Sequence, residues 1–367
     1  VEFENDLKAK VGPMSIMKPL KDRLSDIDHY YDDILLSSTP VSDSAVKAVI
    51  SEFKKVRGLH PRSQQKTVDL MKKSTNSGAP YFTKRRTVVA KTIPTDCKQL
   101  GDVTEITINN WQEWKTAAVL GWRGQEGGPE ANDVKQRVVW MFPFSVNIRE
   151  LQVYQPLIES CQKFNLVPAW VSMEAVDQRI TKMFDTKGDN DVVICTDFSK
   201  FDQHFNPDMQ DAARRILSSL LNASGEARAW IDNIFPIKYA IPLAYNYGKV
   251  RVGKHGMGSG SGGTNADETL AHRALQYEAA INSGTRLNPY SQCLGDDGVL
   301  TFPGIDVDKV METYTAHGQE MNKDKQYVSK HDCVYLRRWH HDQYRQNGIC
   351  VGVYSTYRAL GRLMEQE

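Results

Sequence analysis

Three aspartates carry the strongest chemical signal in this chain. Asp197 follows the apolar run Val192-Val193-Ile194-Cys195, while Asp296 and Asp297 lie between Gly295 and Gly298. If the segments bearing them are neighbours in one sheet, three carboxylates meet, and they repel one another unless cations bind there. Magnesium suits such a site, because it takes a few carboxylates and completes its shell with water and substrate phosphates. Two such ions about 3.5–4 Å apart lower the pKa of an attacking hydroxyl and neutralise a leaving pyrophosphate. An Asp-Gly pair is also ordinary hairpin-turn chemistry. The turn alone therefore does not decide between the two readings.

The elements that must position these residues supply the missing context. Val192 to Cys195 reads as a short buried strand, with Asp197 at its exit. Asn206-Pro207 opens a helix with proline at its first position, and Ile216, Leu217, Leu220 and Leu221 lie on its inner side. The glycine-rich loop His255 to Gly263 leads into a second helix. There Leu270, Ala274, Tyr277 and Ile281 fall on one apolar stripe, with Thr264 or Asn265 as the expected cap and Gly284 as the end. Cys293-Leu294 and Val299 to Phe302 flank the acidic turn as a hairpin. Val307 to His317 reads as a helix and Gln326 to Ser329 as a strand. The order strand, helix, helix, hairpin, helix, strand predicts an α/β (α+β) fold, an antiparallel sheet backed by helices of the split βαβ kind.

Further motifs stand in line with the aspartates. In chain order they are Thr75-Asn76-Ser77-Gly78-Ala79-Pro80-Tyr81, then Lys135-Gln136-Arg137-Val138-Val139, then the D-x4-D pair Asp197 and Asp202. Ser259-Gly260-Ser261-Gly262-Gly263-Thr264 follows as S-G-x-x-x-T, then Gly295-Asp296-Asp297, Met321 to Lys325, and Val334 to Arg338. Each has an ordinary explanation alone: a Gly-Pro turn, a surface K-x-R, an acid capping a helix. Order, spacing and context together do not arise that way. From about residue 74 to 340 the chain resembles the palm and fingers of viral RNA-directed RNA polymerases, most of all those of picobirnaviruses, small double-stranded RNA viruses.

The resemblance implies a right-hand polymerase. Fingers would occupy 1–184 with an insertion at 215–255, the palm 185–214 and 256–338, and the incomplete start of a thumb 339–367. A truncated thumb, and Val rather than Met at residue 1, suggest a fragment or a processed product, and the chain as given is expected to lack processive activity. The activity implied is RNA-templated RNA synthesis for viral genome replication and transcription. It would proceed by two-metal nucleotidyl transfer from nucleoside triphosphates to an RNA 3′-hydroxyl. Asp197, Asp296 and Asp297 would hold two Mg2+ ions, with Mn2+ able to substitute, and Lys325, better placed than Lys323, would protonate the pyrophosphate. Lys135 and Arg137 would grip the triphosphate, the guanidinium forking two phosphate oxygens. Asp202 would select for the 2′-hydroxyl, and Ser259, Gly260 and Thr264 would contact the nucleotide. Where many positive-strand relatives carry Asn four residues past that Thr, this chain has Glu268, which leaves ribose recognition open. Ser77, Gly78 and Pro80 would meet the template, and Arg337 and Arg338 the backbone at the primer terminus. Implied partners are the RNA template and product duplex, nucleoside triphosphates and a viral capsid protein, in the virion interior or the host-cell cytoplasm.

Composition narrows the alternatives. With 367 residues and 40% hydrophobic content the chain can build a sizeable core. No apolar run approaches the roughly 20 residues of a membrane span, and no leader-like segment opens it. Six cysteines without a CxxC pair suit a reducing compartment. Cys333, His340, His341 and Cys350 have no common zinc spacing, so core and surface roles are the better reading. The net charge of +1 hides thirteen Lys or Arg against three acids between Lys47 and Lys98, Lys84, Arg85 and Arg86 among them. That surplus of ten is either a solvated face or the footprint of a polyphosphate. A reverse transcriptase shares the palm logic, but the Gly-Asp-Asp turn, the S-G-x-x-x-T loop and Asp202 argue against it. A non-enzymatic RNA-binding or capsid protein would explain the basic stretch and not the ordered aspartates.

Overall fold

A computed structural model of the chain describes residues 4, 18–125, 127–130, 132 and 135–364. Its organising element is a four-stranded antiparallel sheet in the order Tyr327–Ser329, Val193–Thr196, Asp297–Leu300, Gln292–Leu294. All four residues of Val193–Thr196 are buried, because both faces of the sheet are covered, and a strand buried on both faces reads as an unbroken apolar run. Ile194 and Leu300 face a large core shared with Leu217, Leu270 and Ala274. Val193, Cys195 and Val299 face a second core, built on Val176, Ile180 and Met183 of helix Met173–Thr186.

Local rules explain helix Pro207–Leu220. Asn206 caps it, its Oδ1 accepting the Met209 N–H at 3.0 Å, and Pro207 fills the first position, where no N–H is needed. Helix Thr264–Asn282 departs from the expected single stripe. It lies at the centre of the molecule and is buried nearly all round, with Asp267, Glu268, His272, Arg273, Gln276 and Glu278 buried alongside Leu270 and Ala274, while Ile281 is exposed. Burial of those polar groups is tolerated because they are partnered. Arg273 donates to Glu52 at 2.6 Å and to the Ser291 carbonyl at 2.7 Å. The helix begins at Gly263 with no side-chain cap, so neither Thr264 nor Asn265 serves as one.

Earlier in the chain, strands Thr95–Leu100, Val103–Ile108 and Gln112–Thr116 form a meander. Ala118–Gln125 and Lys135–Met141 pair antiparallel across seven residue pairs. After helices Pro207–Leu220 and Gly225–Asn233 the chain returns to this second sheet, where Leu243–Asn246 pairs parallel to Ala118–Gln125 and Lys249–Arg251 closes the edge. A last small sheet holds Asp332–Tyr335, Arg338–His341 and Val353–Tyr354. All six cysteines are free and buried. Cys333 faces His340 across strands, and His340 Nε2 is spent on Asp177 at 2.8 Å. Among the described residues no helix is long and apolar enough to cross a membrane.

Candidate active site

Register brings the acids to one edge of the central sheet. Thr196 faces Gly298, so one step on, Asp197, just past the end of its strand, comes beside Asp297 on the adjoining one. Gln326 holds the Asp197 backbone on both sides. Its Oε1 accepts the Asp197 N–H at 2.8 Å and its Nε2 donates to the Asp197 carbonyl at 2.8 Å. The tight turn is Gly295-Asp296, since Asp297 already pairs with Leu294. Gly295 has φ +57°, a conformation that favours glycine. The central helix pins this turn from behind. The Gly295 N–H donates to Thr269 Oγ1 at 2.9 Å, and His272 Nδ1 donates to the Gly295 carbonyl at 2.9 Å. Burial pushes the His272 pKa down to about 4, which keeps the ring neutral.

The acids form one electrostatic field. Burial, then the Asp296 charge, push Asp297 up to about 7, against the N–H that Leu336 donates to its Oδ2 at 2.8 Å. Asp296 projects toward solvent, yet desolvation of its carboxyl, followed by the charges of Asp202 and Asp197, raises its pKa against the pull of Arg137. Glu268, only 4% exposed, is pushed well up by burial and by Asp202, with which it shares a hydrogen bond. In its protonated form Glu268 donates that hydrogen bond to Asp202. Carboxylate oxygens are the donor set for a hard divalent cation. Among the described residues no three His, Cys, Asp or Glu side chains form a ready-made metal cage. The donors suit an ion that takes few protein ligands and much of its shell from water and phosphate, as Mg2+ does.

The glycine loop is shaped by contacts with the protein itself. A Cβ on Gly260 would lie 1.6 Å from the Trp140 carbonyl oxygen, and one on Gly256 2.3 Å from that of Asp202. Ser259 Oγ accepts the Trp140 N–H and donates to the Val138 carbonyl, both at 3.3 Å, which ties the loop to strand Lys135–Met141. Thr264 Oγ1 lies within reach of the carbonyls of Gly258, Ser259 and Ser261, to any one of which its single proton can be donated. The polar groups expected to face substrate thus serve the loop first.

Lys135 and Arg137 are exposed on one face of their strand, and Arg137 is near enough to Glu268 and Asp296 to lower both. Ser77 is buried, with its Oγ accepting the Thr83 N–H at 3.1 Å and its carbonyl the Phe144 N–H at 2.8 Å. Gly78 has φ +61° and the Ala79–Pro80 bond is cis. Lys325 is exposed beside Gln326, whereas Lys323 is paired with Asp308 at 2.9 Å. Arg337 lies in the turn of hairpin 332–341, exposed and near enough to Asp297 to lower its pKa. Arg338 turns inward to Asp177 at 2.8 Å and is not brought to the acidic edge. Residues that sequence reasoning missed are Gln326, Thr269, His272, Asn147 and Glu150. Asn147 and Glu150 had one visible signal, a polar pair at i,i+3 among Val146, Ile148 and Val153.

Comparison with known proteins joins this geometry to a family. The family model described as viral RNA-dependent RNA polymerase matches residues 15–348. A protein of human picobirnavirus (strain Human/Thailand/Hy005102/-), described as "Potential RNA-dependent RNA polymerase", is 66% identical over all 367 residues, and the chain spans 68% of its length. The crystal structure of the RNA-dependent RNA polymerase of a human picobirnavirus matches with a TM-score of 0.98 at 66% identity, over 100% of this chain and 70% of that one. An insertion-loop deletion mutant of such a polymerase gives 0.97 at 66% identity, over 99% and 71%. The RNA-dependent RNA polymerase of a sicinivirus, at 15% identity and a TM-score of 0.69 over 99% and 82%, shares the fold alone. The expected right-hand α+β architecture is borne out by these matches. This chain belongs to the viral RNA-dependent RNA polymerases and is itself an RNA-dependent RNA polymerase.

Proposed function

We propose that this polymerase replicates and transcribes a viral RNA genome by two-metal nucleotidyl transfer. The observation that carries this reading is the strand register, which sets Asp197 beside Asp297, with Asp296 in the adjoining turn. Asp197, Asp296 and Asp297 would hold the ions, for which Mg2+ is the natural match and Mn2+ a substitute. Bound there, such ions would supply Lewis-acid activation of the RNA 3′-hydroxyl and charge neutralisation at the leaving pyrophosphate.

The chain's own residues place the reactants. The 3′-hydroxyl gives up its proton to solvent water as a bond forms from the 3′-oxygen to the α-phosphorus, the α–β anhydride bond breaks, and Lys325 delivers a proton to the pyrophosphate as general acid. Arg137 and Lys135 take the triphosphate, Asp202 with Glu268 faces the ribose, and the loop of Ser259, Gly260 and Thr264 backs the nucleotide. Ser77, Gly78 and Pro80 meet the template through their backbone. Arg337 meets the primer terminus, and Arg338 reaches RNA only by giving up Asp177. Fingers span 1–184 and 215–255 and the palm 185–214 and 256–338. RNA, nucleoside triphosphates and a capsid protein are the partners, in the virion interior or the host-cell cytoplasm. In a template-directed incorporation assay, Asp296→Asn should lower the rate by at least about 100-fold. Wild-type incorporation by that variant overturns the site. Equal use of deoxyribonucleotides would favour a reverse transcriptase.

A further inference from the structure

A buried thread of hydrogen bonds joins residues 75–87 to the glycine loop. Among the described residues Arg85, half-buried, has no carboxylate partner. Its Nη2 donates to Asn147 Oδ1 at 2.6 Å, its Nε to the Asn76 carbonyl at 3.3 Å, and its guanidinium sits 5.3 Å from the Phe144 ring centre. A guanidinium held only by neutral groups keeps its full charge for an anion, and phosphate matches its fork.

Asn147, 5% exposed, uses its amide in both directions. Its oxygen faces a group that only donates, so the amide cannot be flipped. Its Nδ2 therefore donates to the Gly260 carbonyl at 3.3 Å and to Glu150 Oε1 at 3.1 Å. Glu150, fully buried, accepts the Gly262 N–H at 3.0 Å and the Ser261 hydroxyl. The loop has little room to absorb a shift at this point. Gly260 lies against the Trp140 carbonyl, and a Cβ on Gly262 would already meet Leu151 at 3.0 Å.

We propose that Asn147 is a positioning residue that couples template contact at Arg85 to the setting of the glycine loop beneath the nucleotide. This rests on the reading above that Ser77, Gly78 and Pro80 meet the template, in the segment that also carries Arg85, and that Ser259, Gly260 and Thr264 back the nucleotide. A phosphate that draws Arg85 changes what Asn147 Oδ1 accepts, and the same amide fixes Gly260 and Glu150.

The test separates nucleotide KM from RNA affinity. Incorporation is measured on excess template, and RNA affinity by anisotropy of a labelled single-stranded RNA. Asn147→Ala should raise nucleotide KM about ten-fold, the equivalent of one buried hydrogen bond, with RNA Kd within about two-fold. Arg85→Lys keeps the charge and loses the fork, so KM should rise by a similar factor. The double variant should be no worse than the worse single, since both act through one link. Additive effects, or an unchanged KM in Asn147→Ala, overturn the coupling. Asn147→Asp keeps a partner for Arg85 but loses the donor to Gly260 and Glu150. It guards against a folding defect: raised KM supports the proposal and wild-type KM overturns it. Asp296→Asn is run alongside. Full activity there means that the site reading has failed, whereas an inactive Asp296→Asn with normal Asn147 variants means that only the coupling has.

Discussion

Gln326 grips Asp197 by its backbone, accepting its N–H and donating to its carbonyl, each at 2.8 Å. A third bond, from Gln326 Nε2 to the Asn322 carbonyl at 2.9 Å, ties this grip to the turn that carries Lys325. Asp197 lies one residue past the end of its strand, and Gln326 fixes the direction of its backbone there. Replacing Gln326 by Leu orphans both backbone groups, at about 1–3 kcal/mol for each that stays buried. The expected outcome is a fall in kcat of about ten-fold or more with little change in nucleotide KM, because the reacting geometry loosens while binding contacts remain. Gln326→Glu adds an anion at the acidic edge and should raise the Mg2+ concentration needed for half-maximal rate. A Leu variant with wild-type kcat would show that the strand alone orients Asp197.

Asp297, pushed up to about 7 by burial and by Asp296, makes metal binding and pH one problem. A carboxyl raised above its unfolded value of about 3.9 holds its proton more tightly in the fold. It therefore stabilises the metal-free protein fully below about pH 4, and that stability is lost as pH rises through about 7. A divalent ion needs the ionised form, so its affinity should climb with pH up to about 7 and then level off. Melting curves with and without Mg2+ between pH 5.5 and 8.5 test this. The Mg2+-induced rise in Tm should grow with pH, and Asp297→Asn should flatten the trend. An Mg2+ effect equal at both ends of the range would contradict it.

Glu268 and Asp202 make a separable prediction. Burial and the Asp202 charge both favour the neutral acid at Glu268, and Gln is the isostere of that form. Glu268→Gln should keep incorporation within about three-fold, still donating a hydrogen bond to Asp202. Glu268→Ala leaves Asp202 unsupported and opens a cavity, which costs about 2–3 kcal/mol. The ratio of ribonucleotide to deoxyribonucleotide incorporation should fall in the Ala variant and hold in the Gln variant. If Gln is as damaging as Ala, Glu268 acts as an ionised carboxylate and the neutral-acid reading is wrong.

What could be read in advance follows how local the cause was. Helix Pro207–Leu220 and the turn before Asp297 are set by neighbours within three residues, a cap and a proline in one case and a left-handed glycine in the other. The central helix was misjudged because the partner of Arg273 is Glu52, 221 positions away, and a one-sided stripe is the only pattern visible without it. The loop glycines were legible as places of close approach. That the approach is to Trp140, Asp202 and Tyr154 rather than to substrate depends on packing. Gln326, Asn147 and Glu150 were invisible for the same reason: an amide or acid becomes a positioning group only when the fold lays a backbone across it.

Arg337 and Arg338 are adjacent and have opposite surroundings, so substitution should separate them. Arg338 Nη2 and His340 Nε2 each lie 2.8 Å from Asp177, fastening hairpin 332–341 to helix Met173–Thr186. Burial alone would raise Asp177, but hydrogen bonds from His340 and Arg338 outweigh it and hold the carboxylate below its usual range. A lowered carboxylate lends stability above its unfolded pKa of about 3.9, and that is lost as pH falls through the folded value. Removing one partner of a mostly buried pair costs up to about 3 kcal/mol. Arg338→Ala should therefore lower Tm by several degrees at pH 7, leave RNA affinity within about two-fold, and lose its effect as acid protonates Asp177. Arg337 is exposed at the turn, near enough to Asp297 to lower its pKa. Arg337→Ala should lower Tm less than Arg338→Ala does, weaken RNA binding a few-fold at low salt, and reduce the salt slope by about one. Thermal melting and RNA titrations at two salt concentrations distinguish the outcomes. The reverse pattern would place Arg338 on the RNA and make the Asp177 pair a resting state of the empty enzyme.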